Sequence, residues 1–363
     1  MSSTEALAQT IRAPEATLRG FAVAAFVALG VPADDAANAA NTLIEADMRG
    51  VDSHGMARLD RFYVTPLESG LVNARPEWIV RAESPSTATI DADGGLGLSV
   101  GVRAMNLAIE KAREVGSGWV TVANSRHFGA AGVYATQALA HDMIGISMTN
   151  TGPIVLPAGG AEPRLGSNPI AVAAPTADGT PFIFDAATSV VSAGKFDTYH
   201  RQGKLAPEGW GLTDDLQPIR NPARGPGGRR ILPLGSDLEH SSYKGYGLAM
   251  IVDILCGVLS GMGPGLAIAG SGVAGGYQSA HFFGAMRIDA FTDADGFKQS
   301  MSDYMAALRA TPPLPDVESV LVPGDIEAET IEDRKRNGIP LYMDSVESLR
   351  SVAQRLNLRL DLG

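Results

Sequence analysis

The 363-residue chain contains one cysteine, Cys256. A single thiol excludes an intramolecular disulfide and a cysteine-based zinc cluster. Its setting in an apolar helical run suits a buried structural thiol rather than a nucleophile. Positive charge is also scarce: 29 Lys and Arg stand against 40 Asp and Glu, a formal net charge of −11. The basic residues are scattered, so no nucleic-acid partner is expected, because phosphate binding needs a basic face. A small anionic substrate gripped by a few focused arginines is compatible with that balance.

Long hydrophobic runs are missing. The apolar stretch at 21–31 falls short of the about 20 residues that cross a bilayer, and the polar opening MSSTEALAQTIRAPEATLRG has neither the basic start nor the cleavage pattern of a signal peptide. The expectation is a cytoplasmic protein without a membrane partner. Several chemical signatures are missing too. No carboxylate pair or histidine cluster has metal-ligand spacing; Asp237, Glu239 and His240 lie in a loop without a matching partner, so no metal is expected. No G-x-S-x-G elbow is present, which weakens a hydrolase reading. Gly95, Gly97 and Gly101 follow a strand and precede a helix as G-x-G-x-x-x-G, a loose relative of the phosphate-binding turn. No acidic residue ends a second strand about 20 residues later, so turn-forming glycines explain the pattern better.

What is present is a globular composition, 45% apolar and 19% charged, with 42 glycines, above the usual share of about 7%. Residues 14–29 and 31–49 have helical periodicity, each closed by a glycine. From Trp78 onward short β-branched runs (WIVRAE, STATIDA, GWVTVANS, IGISMTNT) alternate with helical ones, and IAVAAPT and PFIFDAAT read as adjacent strands joined by a turn at 177–180. Residues 213–230 read as an exposed loop, 246–262 as an apolar helix, HFFGAMRIDAF as a strand, 296–308 as a helix, PPLPDVESVLVPGD as a linker-like strand region and 345–356 as a last helix.

The segment 51–63, VDSHGMARLDRFY, gathers a serine, a histidine, two arginines and two aspartates directly after a helix. Imidazole titrates near neutrality and can exchange the proton that accompanies hydride transfer to a carbonyl or imine. Arg58, four residues beyond His54, shares its face if the segment is helical and can grip a carboxylate bidentately. On spacing alone, a helix-capping histidine beside solvated arginines is an equally good reading. His127, in NSRHFGAAG, lies at a strand-to-helix junction of small residues; His281 reads as core or interface, and His141, His200 and His240 as surface.

The ordered stretches RGVDSHGMARLDRFY, NSRHFGAAGVYA, LGSNPIAVAAPT, FDAATSVVSAGK, ILPLGS, YKGYGLAMIVDILCGVLSGM and HFFGAMRID run from about residue 49 to 289. Together they resemble the malate/L-lactate dehydrogenase family of the non-Rossmann type, which includes ureidoglycolate, sulfolactate and diketogulonate dehydrogenases or reductases and the cyclic ketimine reductases. The resemblance implies NAD(P)-dependent hydride transfer between a small 2-hydroxy acid and its 2-oxo acid, or reduction of a cyclic imino acid. It implies an α+β fold: a helical domain (1–75, completed by part of 245–310), a β-rich mixed-sheet NAD(P)-binding domain without the Rossmann fingerprint (76–244), and a C-terminal segment (311–363) packing back on the cofactor domain. A homodimer follows from the same resemblance, with the apolar HFFGAM strand and glycine-rich loops suited to its interface.

Carried over by residue, His54 resembles the general acid/base, Ser53 its orienting neighbour and Arg58 the carboxylate-binding arginine. His127 resembles a group active at both substrate and cofactor, followed by cofactor-contacting Phe128, Gly129, Ala130 and Ala131. Thr151, Ser167, Asn168 and Lys195 are expected on the substrate side. Asp185, Ala186, Ala187, Tyr243, Lys244, Arg334 and Arg336 are expected at the cofactor, although a solvated charged turn explains 334–336 nearly as well. The ketimine reductases carry an aspartate after the triplet that here is Ser192, Ala193 and Gly194; this chain has Lys195, which favours a hydroxy or oxo acid.

Overall fold

The computed structural model describes residues 10–223, 230–268 and 274–362. A short strand β1 (Thr10–Ala13) leads into helices α1 (Glu15–Ala28) and α2 (Ala33–Met48). Pro14 and Pro32 stand immediately before them, where a missing N–H leaves no helical bond unmade. The helices end at Gly30 and Gly50, with φ of 87° and 81°, a region that favours glycine. At the second end the Val51 N–H donates to the Ala46 carbonyl (2.9 Å) and the Gly50 N–H to the Asp47 carbonyl (3.0 Å), a Schellman turn. Val51 packs with Ala46, Ala130 and Val133. This turn sets the direction in which 52–63 leaves the helix, through tight turns at Asp52–His54 and Met56–Arg58, a wide π-type turn at Leu59–Val64 and the short helix α3 (Thr65–Glu68).

The chain continues through β2 (Ile79–Glu83), β3 (Thr87–Asp91), α4 (Gly97–Val115), β4 (Ser117–Ser125), α5 (Ala131–Ala135), β5 (Met143–Thr149), β6 (Ile170–Ala174), β7 (Phe182–Ala186), α6 (Ala193–Arg201), β8 (Gly211–Leu212), β9 (Arg230–Ile231), α7 (Tyr243–Asp253), β10 (Ser279–Arg287), α8 (Ala294–Arg309), α9 (Asp325–Asn337), β11 (Ile339–Tyr342) and α10 (Met343–Arg355). One seven-stranded sheet runs in the order β2-β3-β4-β10-β5-β6-β7. Within it β3 and β4 are parallel, joined by α4, and the other pairs are antiparallel. The fold is therefore α+β. The glycines at 97 and 101 lie inside α4 rather than in a turn: a Cβ at Gly97 would overlap the Arg126 and His127 carbonyls, and one at Gly101 the Tyr134 ring. Their role is close helix packing.

The cores divide the chain differently from the sequence expectation. Leu18, Phe21 and Phe26 of α1 pack with Leu43 and Ile44 of α2, with Leu59 and Tyr63, and with Ile339, Leu341, Val346, Leu349 and Val352. Residues 339–362 thus complete the helical body, not the sheet body: β11 pairs antiparallel with β1 (Ile11↔Leu341), and α10 buries an apolar stripe in the same core, beside the turns at Met56–Arg58 and Leu59–Val64. Contact with the sheet is made earlier, where the Ile183 N–H donates to the Pro323 carbonyl (3.2 Å). Conversely, among the described residues of 245–310 strand β10 and helix α7 belong to the sheet body, while Gly275 lies against the Phe62 backbone of the helical one. Strand β10 lies between β4 and β5 at the middle of the sheet, and Val252 and Cys256 pack against its Ala280 and Phe282. HFFGAM is apolar because a central strand is covered on both faces, so it forms no interface. Cys256 is fully buried, which pushes its thiol pKa up. Residues 312–324 form no strand, and among the described residues no helix is long and apolar enough to cross a membrane.

Candidate active site

The Schellman turn at Gly50 delivers Ser53 and His54 to one wall of a cleft. Ser53 Oγ lies 2.9 Å from His54 Nδ1, and the Arg58 Nε–H donates to the Ser53 carbonyl at 2.7 Å, with the guanidinium 5.1 Å over the Phe62 ring. Beneath the turn the Met56 N–H donates to the buried Asp47 carboxyl group (2.8 Å). A Cβ at Gly55 would overlap that carboxyl group, so the glycine of DSHG is required by space. Arg334 of α9 pairs with Asp52 and donates to the Asp47 carbonyl, while Arg355 of α10 pairs with Asp60. The two aspartates of the segment anchor the turn to the C-terminal helices.

The facing wall comes from the β4–α5 junction. His127 Nδ1 lies 2.7 Å from the Tyr63 hydroxyl and accepts the Gly129 N–H at 3.3 Å. Its ring is nearly parallel to that of His54, 11° apart with centroids 5.7 Å apart. Phe128 stacks on buried His281 (4.5 Å), whose Nδ1 meets Thr149 Oγ1 at 2.8 Å. Between these walls is a cavity of about 180 Å³, bounded by Ser53, His54, Arg58, Phe62, His127, Thr151, Ser167 and Tyr277. A second cavity of about 220 Å³ shares Ser53, His54, Gly129 and Ser167 with it and extends along 130–133 to Asp185, Ala187, Glu327 and Arg49. His54 thus borders both.

Burial, with Arg58 nearby, lowers the His54 pKa to about 4, and burial also holds His127 well below the usual range. Both rings are neutral at pH 7. Burial raises Asp47 to about 8, against the Met56 N–H, and raises Asp185 to about 6, against the Gly132 N–H that donates to it at 2.7 Å. Tyr277 is pushed up to about 12 by burial.

Of the residues expected from sequence, Ser53, His54, Arg58, His127, Phe128, Gly129, Ala130, Ala131, Thr151, Ser167, Asp185 and Ala187 line one or both cavities. Others lie elsewhere. Asn168, fully buried, is a brace: its Oδ1 accepts the Thr151 N–H (3.1 Å) and its Nδ2 donates to the Ala249 carbonyl (2.9 Å). Ala186 is held in the β6–β7 ladder opposite Ile170. Lys195 lines a third cavity, of about 280 Å³, on the far side of the Ser53–Arg58 wall. Tyr243 and Lys244 are exposed on the first turn of α7, Arg334 is buried against Asp52, and the Arg336 Nε donates to the Glu332 carbonyl. Tyr63, Phe62, Tyr277, Arg49 and Glu327 were not singled out from sequence. Tyr63 and Phe62 close the DSHG segment itself, so its aromatic end was the available signal.

The family of malate/L-lactate dehydrogenases matches residues 13–350. The chain belongs to this family. It is 42% identical over 350 residues to a malate dehydrogenase of Pyrococcus abyssi, covering 96% of each chain, and 35% identical over 338 residues to an L-sulfolactate dehydrogenase of Methanocaldococcus jannaschii, covering 92% of this chain and 93% of that one. Among solved structures, malate dehydrogenase from Entamoeba histolytica superposes with a TM-score of 0.92 at 32% identity, over 97% of this chain and 99% of that one.

Proposed function

We propose that the protein is an NAD(P)-dependent dehydrogenase that interconverts a small 2-hydroxy acid of the malate or lactate class and its 2-oxo acid. The observation that carries this reading is His54 and Arg58 on one wall of a small cavity, with His54 also bordering a second cavity suited to a cofactor. Residues 129–132 are Gly-Ala-Ala-Gly, small enough for close backbone approach, and a Cβ at Gly132 would come within 2.9 Å of Asp185 Oδ2. Asp185 and Glu327 offer acceptors for ribose hydroxyls, and Val51, Val133 and Ile183 an apolar surface for a ring. These residues fit a nicotinamide nucleotide held without a Rossmann fingerprint. When bound, the nicotinamide supplies hydride to the substrate's 2-carbon or accepts it from there.

The rest of the chemistry falls to the chain. Arg58, fixed by the Ser53 carbonyl and the Phe62 face, receives the substrate carboxylate. His54, its Nδ1 tied to Ser53, turns Nε2 to the 2-oxygen and gives it a proton in reduction or takes one in oxidation. Burial is the larger cause of the His54 pKa of about 4; carboxylate binding offsets the smaller one, the field of Arg58, and so moves it upward. His127, oriented by Tyr63 and Gly129, faces the same oxygen.

We further propose a homodimer built on α7 and the turn after it, where Leu248, Ile251, Ile254, Val258, Leu259 and Leu266 are 37–56% exposed. The functional reading is tested by nicotinamide absorbance with NADH or NADPH and a panel of pyruvate, oxaloacetate, 2-oxoglutarate and a cyclic imine. Oxidation with a 2-oxo acid supports it; turnover of the imine alone, or of nothing, overturns it.

A further inference from the structure

Arg49 closes α2 as its last half-helical residue, one turn before Ser53. Its Nε is buried and has no hydrogen-bond partner, and its tie to Glu45 is loose, 3.5 Å from NH2 to Oε2. A buried guanidinium N–H without a partner is costly, and arginine meets that cost where a planar anion completes the fork. The side chain, 16% exposed, lines the second cavity. Among the described residues it is the one cationic side chain on that wall, facing the carboxylates Asp185 and Glu327. A dinucleotide entering this cavity brings a pyrophosphate, which two carboxylates repel and which needs a positive group to hold it.

We propose that Arg49 binds the pyrophosphate of the nicotinamide cofactor. The assignment rests on the dinucleotide reading of the second cavity. It places the anionic bridge beside α2, one turn from the histidine that meets the substrate, so that the RG of RGVDSHG holds the cofactor and the SHG serves the reaction. It also explains how an acidic cavity in a chain of net charge −11 accepts an anionic cofactor: the carboxylates meet the ribose and the arginine meets the phosphates.

The test is a binding titration of the full chain, read by calorimetry, with NADH, NADPH, ADP-ribose, which keeps the pyrophosphate without nicotinamide, and adenosine, which lacks it. Arg49→Met is expected to weaken NADH, NADPH and ADP-ribose alike, by about 10- to 100-fold, the usual effect of removing a charged hydrogen-bonding partner. Adenosine binding should not change, and the thermal midpoint of the ligand-free protein should stay close to wild type. Arg49→Lys keeps the charge without the fork and should give intermediate affinities; it also serves if the methionine variant does not fold. Unchanged affinity for NADH and ADP-ribose in folded variants overturns the assignment. A loss confined to NADPH moves the contact to the ribose 2′-phosphate and also overturns it. Failure of the wild type to bind any dinucleotide is a different result, which removes the cofactor reading itself.

Discussion

At the scale of single residues, the cleft is defined by which atoms are already held. His54 has Nδ1 engaged by Ser53, Arg58 has Nε engaged by the Ser53 carbonyl, and His127 has Nδ1 engaged by Tyr63 and Gly129. Arg58→Met should reduce kcat/KM for a 2-oxo acid by about 10- to 100-fold, the range for a charged hydrogen-bonded contact, with cofactor affinity unchanged; steady-state kinetics beside a binding titration will show it. An equal loss for the corresponding amide, which has no carboxylate, would contradict the role. DSHGMAR singles out His54 and Arg58 in sequence, although its spacing alone suits a helix cap equally well; the structure puts both on the lining of one cavity. The Asp52–Arg334 pair was not legible, since its partners are 282 positions apart and nothing in a polar helical turn announces which side is buried. Arg334 and Arg336 therefore read as cofactor contacts, whereas one braces the active turn and the other caps its own helix.

At the scale of elements, the Schellman turn that ends α2 aims the whole segment. Gly50→Ala places a side chain at φ 81° with its Cβ 3.2 Å from Thr330, a strain of about 1–3 kcal/mol. Chemical denaturation should register that loss. Gly55→Ala is a different defect, overlap with the Asp47 carboxyl group, and should lower activity as well as stability by displacing the Ser53–Arg58 wall. Helices α1 and α2 were legible because proline and glycine punctuate them. Helix α9 was not: DIEAETIEDRKRN has almost no apolar residues, and only Arg334 of it is buried. Strand β10 was found, but its place was not, because a short apolar run reads the same at the centre of a sheet as at an interface.

At the scale of the whole molecule, the C-terminal residues return to the N-terminal helices through β1 and β11, a closure between chain ends that local periodicity does not reveal. The proposed dimer should depend on the exposed face of α7 and the turn after it. Ile254→Asp, at a residue 51% exposed, is expected to convert a dimer to a monomer by sedimentation, with the thermal midpoint of the subunit little changed; wild-type protein that sediments as a monomer would refute the interface.

Buried titratable groups set the pH range of the fold. His54 and His281 are held neutral, with pKa values lowered from 6.5 to about 4 and about 3. The unfolded chain binds their protons first, so their contribution is complete above about pH 6.5 and is lost as pH falls toward 4 and 3. Asp47 acts oppositely: raised from 3.8 to about 8, it favours the fold most below 3.8 and loses that contribution as pH rises through 8. Thermal midpoints at constant ionic strength should therefore peak near about pH 6–7 and fall on both sides. A midpoint that keeps rising from pH 7 to 9 would contradict the buried, protonated Asp47.

The central claim is that His54 exchanges the substrate's proton beside a carboxylate held by Arg58. The most direct measurement is turnover of His54→Ala at neutral pH with saturating 2-oxo acid and reduced cofactor, together with cofactor affinity. The expected result is a kcat lower by about 10²- to 10⁴-fold, the usual worth of a positioned acid/base, with cofactor affinity within about twofold of wild type. Wild-type turnover in that variant would show that the proton passes through another group.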